Sequence, residues 1–102
     1  MTATTRVASV AMHSAMGDPS TNLERVAEWT KKAHAKGATF ALFPEECITG
    51  SMNKSDIPAE EAMRIAEGAA ETSVPFIESL CLDLDMTLIV GTIELAGERY
   101  RN

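Results

Sequence analysis

The sequence predicts an α/β protein built on a parallel sheet, and two observations lead to that class. Nearly continuous apolar runs at residues 6–12, 38–43 and 87–95 have the length of strands. Helical patterns separate these runs, and a strand–helix–strand order is typical of right-handed parallel crossovers. Because continuous apolar runs suit strands covered on both sides, we expect the sheet to be buried on both faces.

The first helix is predicted over residues 22–36. Ser20, Thr21 or Asn22 is expected to cap its amino terminus by accepting a hydrogen bond from a free N–H group. Gly37 is placed to end the helix, since glycine adopts the left-handed conformation readily. Residues at helical spacing form one buried stripe, which consists of Leu23, Val26, Ala27, Thr30 and His34.

Prolines mark the boundaries of the later elements. Pro44 has no N–H to donate to a neighbouring strand, so the second strand should end before it. Ser73 followed by Pro75 is typical of a helix start. The remaining predicted elements are a polar loop at 45–57, helices at 59–70 and 73–85, a turn at 96–98 and the start of a fourth strand at 99–102.

Charge and composition exclude several classes of function. The net charge of −6 argues against binding to nucleic acid or to an anionic membrane, because both need a positive surface. No apolar run is long enough to cross a bilayer, and no signal peptide is evident, so we expect a cytoplasmic location. The two cysteines lack CxxC spacing and a nearby His pair, so neither a metal site nor a disulfide is predicted, and no cofactor is expected.

The segment at residues 40–50 contains the strongest candidates for a catalytic residue. Ligands of open parallel sheets bind beyond the carboxyl ends of the strands, and Glu45 follows such an end. A carboxylate backed by apolar residues there can have its pKa raised by desolvation and serve as a general base. The alternative is that Glu45 and Glu46 are ordinary loop acids that point into water.

Phe43, Pro44 and Glu45, followed by Thr49 and Gly50, resemble the first catalytic block of the nitrilase superfamily of carbon–nitrogen hydrolases. The similarity extends in order over almost the whole chain. Two departures, Ala11 in place of a common glutamine and Ser51 in place of a common aromatic residue, leave the substrate class open. The other similar blocks are residues 7–10, 17–18, 22–23, 37–38 and 89–94, with Tyr100 and Asn102.

The resemblance implies a four-layer αββα sandwich, of which residues 1–102 would be the amino-terminal portion and not a complete domain. It also implies a Glu-Lys-Cys triad in which Glu45 is the general base, Glu46 is a charge at the rim, and the lysine and cysteine lie beyond this chain. Such a triad hydrolyses amide, nitrile or carbamoyl C–N bonds through a thioester. The chain alone is therefore expected to be inactive.

The expected partners are a small amide or nitrile substrate and either further copies of the chain or the remainder of the domain. A different class of function stays open at this point, namely a small α/β binding or interaction module without chemistry of its own. A complete module should close its last strand pair, and the sequence stops as its fourth predicted strand begins.

Other candidate residues have simpler explanations. Cys47 is a poor nucleophile because the neighbouring carboxylates would raise the pKa of its thiol. His34 is expected to be a core or interface histidine, Cys81 a small buried apolar residue and Trp29 a packing or interface residue. The remaining candidates are His13, Met52 and Asn53 as possible pocket residues, and Glu60, Glu61, Glu67 and Glu71 as a solvated helix face.

Overall fold

A computed structural model describes the backbone of residues 4–96 and 99–101. Three of its strands are parallel and two are antiparallel. Part of the predicted turn at residues 96–98, and Asn102 of the predicted fourth strand, lie outside the described residues. The elements are β1 (Val7–Ser9), α1 (Pro19–Ala35), β2 (Phe40–Leu42), a short 3₁₀ helix (Met52–Lys54), α2 (Ala59–Leu84), β3 (Thr87–Ile89), β4 (Glu94–Ala96) and β5 (Arg99–Arg101).

The main sheet has the order β1-β2-β3 with all strands parallel, which confirms the predicted α/β class. Ala8, Ala41 and Leu88 stand side by side across it. The predicted third strand at 87–95 was too long. It divides into β3 and β4, and β4 pairs with β5 in a separate two-stranded sheet.

Only one face of the parallel sheet is covered, so the expectation of burial on both faces is wrong for this chain. The covered face carries Ala41, which is fully buried, and it packs against apolar side chains of both helices. The opposite face carries Val7, Leu42 and Ile89, which are 53%, 37% and 52% exposed. No described residues form a layer over this second apolar face of the sheet.

Helix α1 begins three residues earlier than predicted, because Asp18 and not a later residue caps it. The Asp18 carboxylate accepts hydrogen bonds from the N–H and the hydroxyl of Thr21 at 3.2 and 2.7 Å. Pro19 occupies the first helical position, where its missing N–H is not needed. At the other end Gly37 has φ +86°, and its N–H donates to the carbonyl of His34, which confirms the predicted glycine stop.

The two predicted helices at 59–70 and 73–85 are one continuous helix, α2. Proline inside a helix removes one hydrogen bond and typically costs about 3 kcal/mol. Pro75 is exposed, and an unbroken row of small and apolar side chains packs inward on either side of it. The stabilisation from this packing exceeds the cost of the proline, so the helix continues through residue 75. The row consists of Ala62, Ala66, Ala69, Ser73 and Leu80.

The predicted polar loop at 45–57 contains a buried portion. Cys47 and Ile48 are each only 1% exposed and belong to the main core, while Met52 packs with Ala66 and Ile93 in a second, smaller core. Apolar residues in a loop pack inward when the loop crosses between core elements. None of the described helices is both long and apolar enough to cross a membrane.

Candidate active site at the carboxyl edge of the sheet

Glu45 lies just beyond the carboxyl end of β2, at the position predicted for it. The backbone still follows the sheet at Phe43, whose N–H donates to the carbonyl of Ile89 at 2.9 Å. The chain then turns over residues 45–49, and the N–H of Gly50 donates to the carbonyl of Glu46 at 2.8 Å. The side chain of Glu45 is exposed at this edge of the sheet.

Gly91, which follows β3, packs directly against the backbone of the turn that carries Glu45. A Cβ atom on Gly91 would lie 2.6 Å from the backbone nitrogen of Glu46 and 3.1 Å from the Cα of Glu45. Both distances are shorter than ordinary van der Waals contact, and the atoms are backbone atoms that cannot swing away. Residue 91 must therefore be glycine for the Glu45 backbone to lie where it does.

The segment between β1 and α1, together with the first turn of α1, holds the same turn from the opposite side through three consecutive carbonyl groups. The hydroxyl of Ser14 donates to the carbonyl of Cys47 at 2.9 Å. The N–H of Gly17 donates to the carbonyl of Thr49 at 2.8 Å. Between them, the side chain of Asn22 donates to the carbonyl of Ile48 at 2.8 Å.

Asn22 holds the turn in a way that the sequence did not reveal. It was predicted as a possible helix cap, yet it lies inside α1 and is fully buried. Its Oδ1 accepts from the N–H of Ala15 at 2.7 Å, and its Nδ2 donates to the carbonyl of Ala15 at 2.8 Å. The available signal was an amide side chain four residues after the cap, among the positions that face the core.

Cys47 is not placed to act as a nucleophile. Its side chain is buried in the core, and that burial raises the pKa of the thiol, although a hydrogen bond with the backbone of Gly91 opposes the shift. The predicted direction is thus confirmed, but burial and not the neighbouring carboxylates is the main cause. A buried thiol with a raised pKa forms little reactive thiolate at neutral pH.

Of four other predicted residues, three are exposed and one is buried. His34 is exposed and so does not lie in the core of this chain, where Ala33 takes the buried position; the interface alternative for His34 stays a prediction. His13 is also exposed, and its carbonyl accepts a hydrogen bond from Arg25. Met52 faces the second core while Asn53 is exposed.

The predictions for the remaining residues hold in part. Trp29 lies within α1 and is 39% exposed. The ammonium of Lys32 lies 4.5 Å from the centroid of its ring. Cys81 is half-buried, less than predicted. The solvated helix face is confirmed, since Glu60, Glu61, Glu67 and Glu71 are all exposed.

Two grooves open along the edges of the sheet, and neither is lined by Glu45. One, of about 420 Å³, lies beside β1 and includes Ala8, Val10 and Trp29. The other, of about 400 Å³, lies between α2 and β3 and includes Ile77 and Leu88. Within the part of the chain that the structure describes, no three His, Cys, Asp or Glu side chains gather as metal ligands do.

The arrangement therefore presents one exposed carboxylate on a firmly anchored backbone, at the sheet edge where ligands of parallel sheets bind. A carboxylate there can accept and return protons. It needs a separate nucleophile to break a stable C–N bond, and the buried Cys47 does not supply one.

Comparison with known proteins agrees with this organisation. A family model described as carbon-nitrogen hydrolase matches residues 6–102. The chain is 32% identical over 97 residues to a glutamine-dependent NAD(+) synthetase of Mycobacterium leprae, a match that covers 95% of this chain and 13% of the relative. It is 29% identical over 86 residues to the enzymes of the same name from Mycobacterium bovis and Mycobacterium tuberculosis, covering 84% of this chain and 12% of each relative.

The chain thus spans only 13% of the length of the relative from Mycobacterium leprae. The family match, in contrast, extends over nearly all of this chain and includes the turn that carries Glu45. The resemblance to the nitrilase superfamily found from the sequence motifs is therefore confirmed, and the chain belongs to the carbon–nitrogen hydrolase family.

Proposed function

We propose that this chain supplies the general base, Glu45, of a site that hydrolyses the C–N bond of a small amide. The observation that carries the proposal is the anchoring of the Glu45 turn between Gly91 on one side and Ser14 and Asn22 on the other. General acid–base catalysis requires a group held within hydrogen-bond reach of the reacting atoms. A carboxylate on an anchored turn meets that requirement better than one on a free loop.

In the proposed mechanism Glu45 moves protons and a cysteine elsewhere in the protein forms the covalent bond. Glu45 takes the proton of that thiol, and the thiolate attacks the carbonyl carbon of the amide. The resulting oxyanion is stabilised by the lysine of the triad. Glu45 then gives the proton to the leaving nitrogen, and ammonia departs as the thioester forms. Finally Glu45 activates water, which releases the acid and restores the thiol.

We further propose that the amide is the side-chain carboxamide of glutamine. The relatives from the three mycobacteria are named glutamine-dependent. Hydrolysis of this amide consumes water and yields glutamate and ammonia, so it suits a protein that needs a nitrogen source. Nitriles and carbamoyl compounds react by the same chemistry and remain the other substrates to test.

The exposed sheet face supports the four-layer sandwich that the resemblance implies. Val7, Leu42 and Ile89 would be buried if a second sheet packed on them. The same exposure argues against a self-contained binding module, because such a module should bury its own sheet. We therefore propose that the rest of the domain covers this face.

The test is ammonia release by the intact protein from glutamine, a simple aliphatic amide and a nitrile. We expect release from glutamine, together with an acyl adduct on the protein that mass spectrometry detects after acid quenching. A polypeptide of residues 1–102 alone should release no more ammonia than denatured protein. Absence of ammonia release from all three compounds, or turnover by residues 1–102 alone, would contradict the proposal.

A further inference from the structure

We propose that Asn22 is a positioning residue for Glu45 and that it acts through the backbone of Ile48, an inference that rests on the function proposed above. The peptide groups of Ile48 are held from two sides. Its N–H donates to the carbonyl of Gly91 at 3.1 Å, and its carbonyl accepts from Asn22 at 2.8 Å. Ile48 thereby links the β3 side of the sheet edge to α1.

The bonds of Asn22 leave it little freedom. It is fully buried, and both hydrogens of its Nδ2 are used, one on Ala15 and one on Ile48. Its Oδ1 also accepts from Ala15. A shorter apolar side chain would leave one N–H and two carbonyl groups without these partners, and groups cut off from both water and protein are strongly destabilising. The two segments would then move until those groups found water.

Movement at Ile48 would reach Glu45 directly, because only two residues separate them. The turn is closed by the bond from Gly50 to Glu46, so its residues shift together. Glu46 itself has φ +55°, a conformation that a residue with a side chain adopts only when its surroundings hold it. Release of the Ile48 carbonyl would therefore loosen the backbone that carries the proposed base.

Ser14 anchors the same turn through a second, weaker contact. Its hydroxyl holds the carbonyl of Cys47 with one bond, whereas Asn22 makes three bonds in all. Ser14 is also only partly buried, so loss of its hydroxyl should cost less stability than loss of the fully buried Asn22 amide. The Ser14→Ala variant thus tests the same idea with less risk of unfolding than Asn22→Ala.

The experiment measures kcat and KM for ammonia release in the intact protein. A 1 Å displacement of a reacting group can cost about 100-fold, so Asn22→Ala should lower kcat roughly 10- to 100-fold, with KM changed less. Ser14→Ala should lower kcat in the same direction by a smaller factor. The matched control is Thr30→Val, which removes a buried hydrogen bond from α1 that does not reach the turn. It should leave kcat unchanged.

A double-mutant cycle separates positioning from general loss of structure. If Asn22 acts through Glu45, adding Asn22→Ala to Glu45→Gln should cause much less further loss than Asn22→Ala causes alone. Hydrogen exchange gives a readout that needs no activity. The Gly50 amide should exchange faster in Asn22→Ala, while the Phe43 amide, bonded within the sheet, should not.

Each result is decisive. An equal loss of kcat in both backgrounds, or a kcat for Asn22→Ala that matches Thr30→Val, would overturn the positioning role. If Asn22→Ala does not fold, an unchanged kcat and unchanged Gly50 exchange in Ser14→Ala would do so. Full activity of Glu45→Gln would instead overturn the proposed function, and with it any catalytic consequence of anchoring the turn.

Discussion

Gly91 illustrates how a missing side chain shapes the candidate site. The backbone of Glu45 and Glu46 fills the space that a Cβ at residue 91 would take. Ile48 also bonds to the carbonyl of Gly91, so one residue both makes room for the turn and holds it. The family resemblance included residue 91 within a similar block, but only the packing explains why glycine stands there.

We expect Gly91→Ala to lower both stability and kcat. The added methyl group would push the backbone of Glu45 away from the sheet, and comparable overpacking typically costs 1–3 kcal/mol, an order-of-magnitude figure. The matched control is Gly68→Ala on α2, where a Cβ meets nothing within 4 Å. That change should raise stability by about 0.5–1 kcal/mol. Thermal unfolding measures the change in stability, and ammonia release by the intact protein measures kcat. Wild-type stability and wild-type kcat in Gly91→Ala would refute the packing argument.

The buried thiol of Cys47 predicts a loss of stability in alkali. Burial raises the pKa of this thiol above its ordinary value of 9.0. As pH rises through 9, the unfolded chain loses the proton first, so the free energy of unfolding falls. Below that pH both states keep the proton and the contribution is constant. Urea unfolding between pH 8 and pH 10 should show a smaller decline in the free energy of unfolding for Cys47→Ala than for wild type, and an equal decline in the two proteins would contradict the burial argument.

Helix α2 shows where local signals and packing disagree. Ser73 and Pro75 are typical of a helix start, and the sequence therefore predicted a break before them. In the structure Ser73 is 5% exposed and faces the core, so its hydroxyl does not cap a new helix. The regular spacing of the buried residues on both sides of Pro75 is the signal that favours one helix.

Replacement of Pro75 should stabilise the protein. Pro75→Ala restores an N–H for the helix and relieves the clash of the ring with the preceding turn, which is worth up to about 3 kcal/mol. Pro58→Ala is the control, because Pro58 precedes the first residue of the helix and interrupts no helical bond. Chemical denaturation should show a clear gain for Pro75→Ala and little change for Pro58→Ala. A loss of stability in Pro75→Ala would show that the helix is broken there.

The sequence predicted the order of β1, α1 and β2 correctly, because apolar runs and glycine stops are local signals. It placed Glu45 at a strand end, since Pro44 marks that end plainly. It missed the anchoring of the turn, because the bonds from Asn22 and Ser14 join residues 26 and 33 positions apart. It also placed the exposed His34 on the apolar stripe of α1, as a core or interface residue, because helical spacing alone does not distinguish the centre of a stripe from its edge.

At the scale of the whole molecule, the main feature is a sheet that the described residues cover on one side only. Its outer face carries large apolar side chains, among them Val7 and Ile89. Apolar patches of this kind typically mark a surface that packs against another layer. The acidic net charge of −6 favours solubility, but it does not remove the patch.

A polypeptide of residues 1–102 is therefore expected to self-associate. The double variant Val7→Thr with Ile89→Thr keeps strand-forming side chains while it makes the outer face more polar, so it should reduce association. Leu82→Gln is the control, because Leu82 is 77% exposed but lies on α2 and not on the sheet. Sedimentation velocity over a range of concentrations measures the effect. A stable monomer of the unmodified polypeptide would contradict this expectation.

The most direct test of the proposed role of Glu45 compares Glu45→Gln with Glu46→Gln in the intact protein. Both changes remove one negative charge from adjacent residues, and both keep the size of the side chain. If Glu45 moves protons, its replacement should lower kcat for ammonia release by at least about 100-fold while thermal unfolding stays unchanged. Glu46→Gln should cost far less. Full activity of Glu45→Gln, or equal losses in the two variants, would contradict the account.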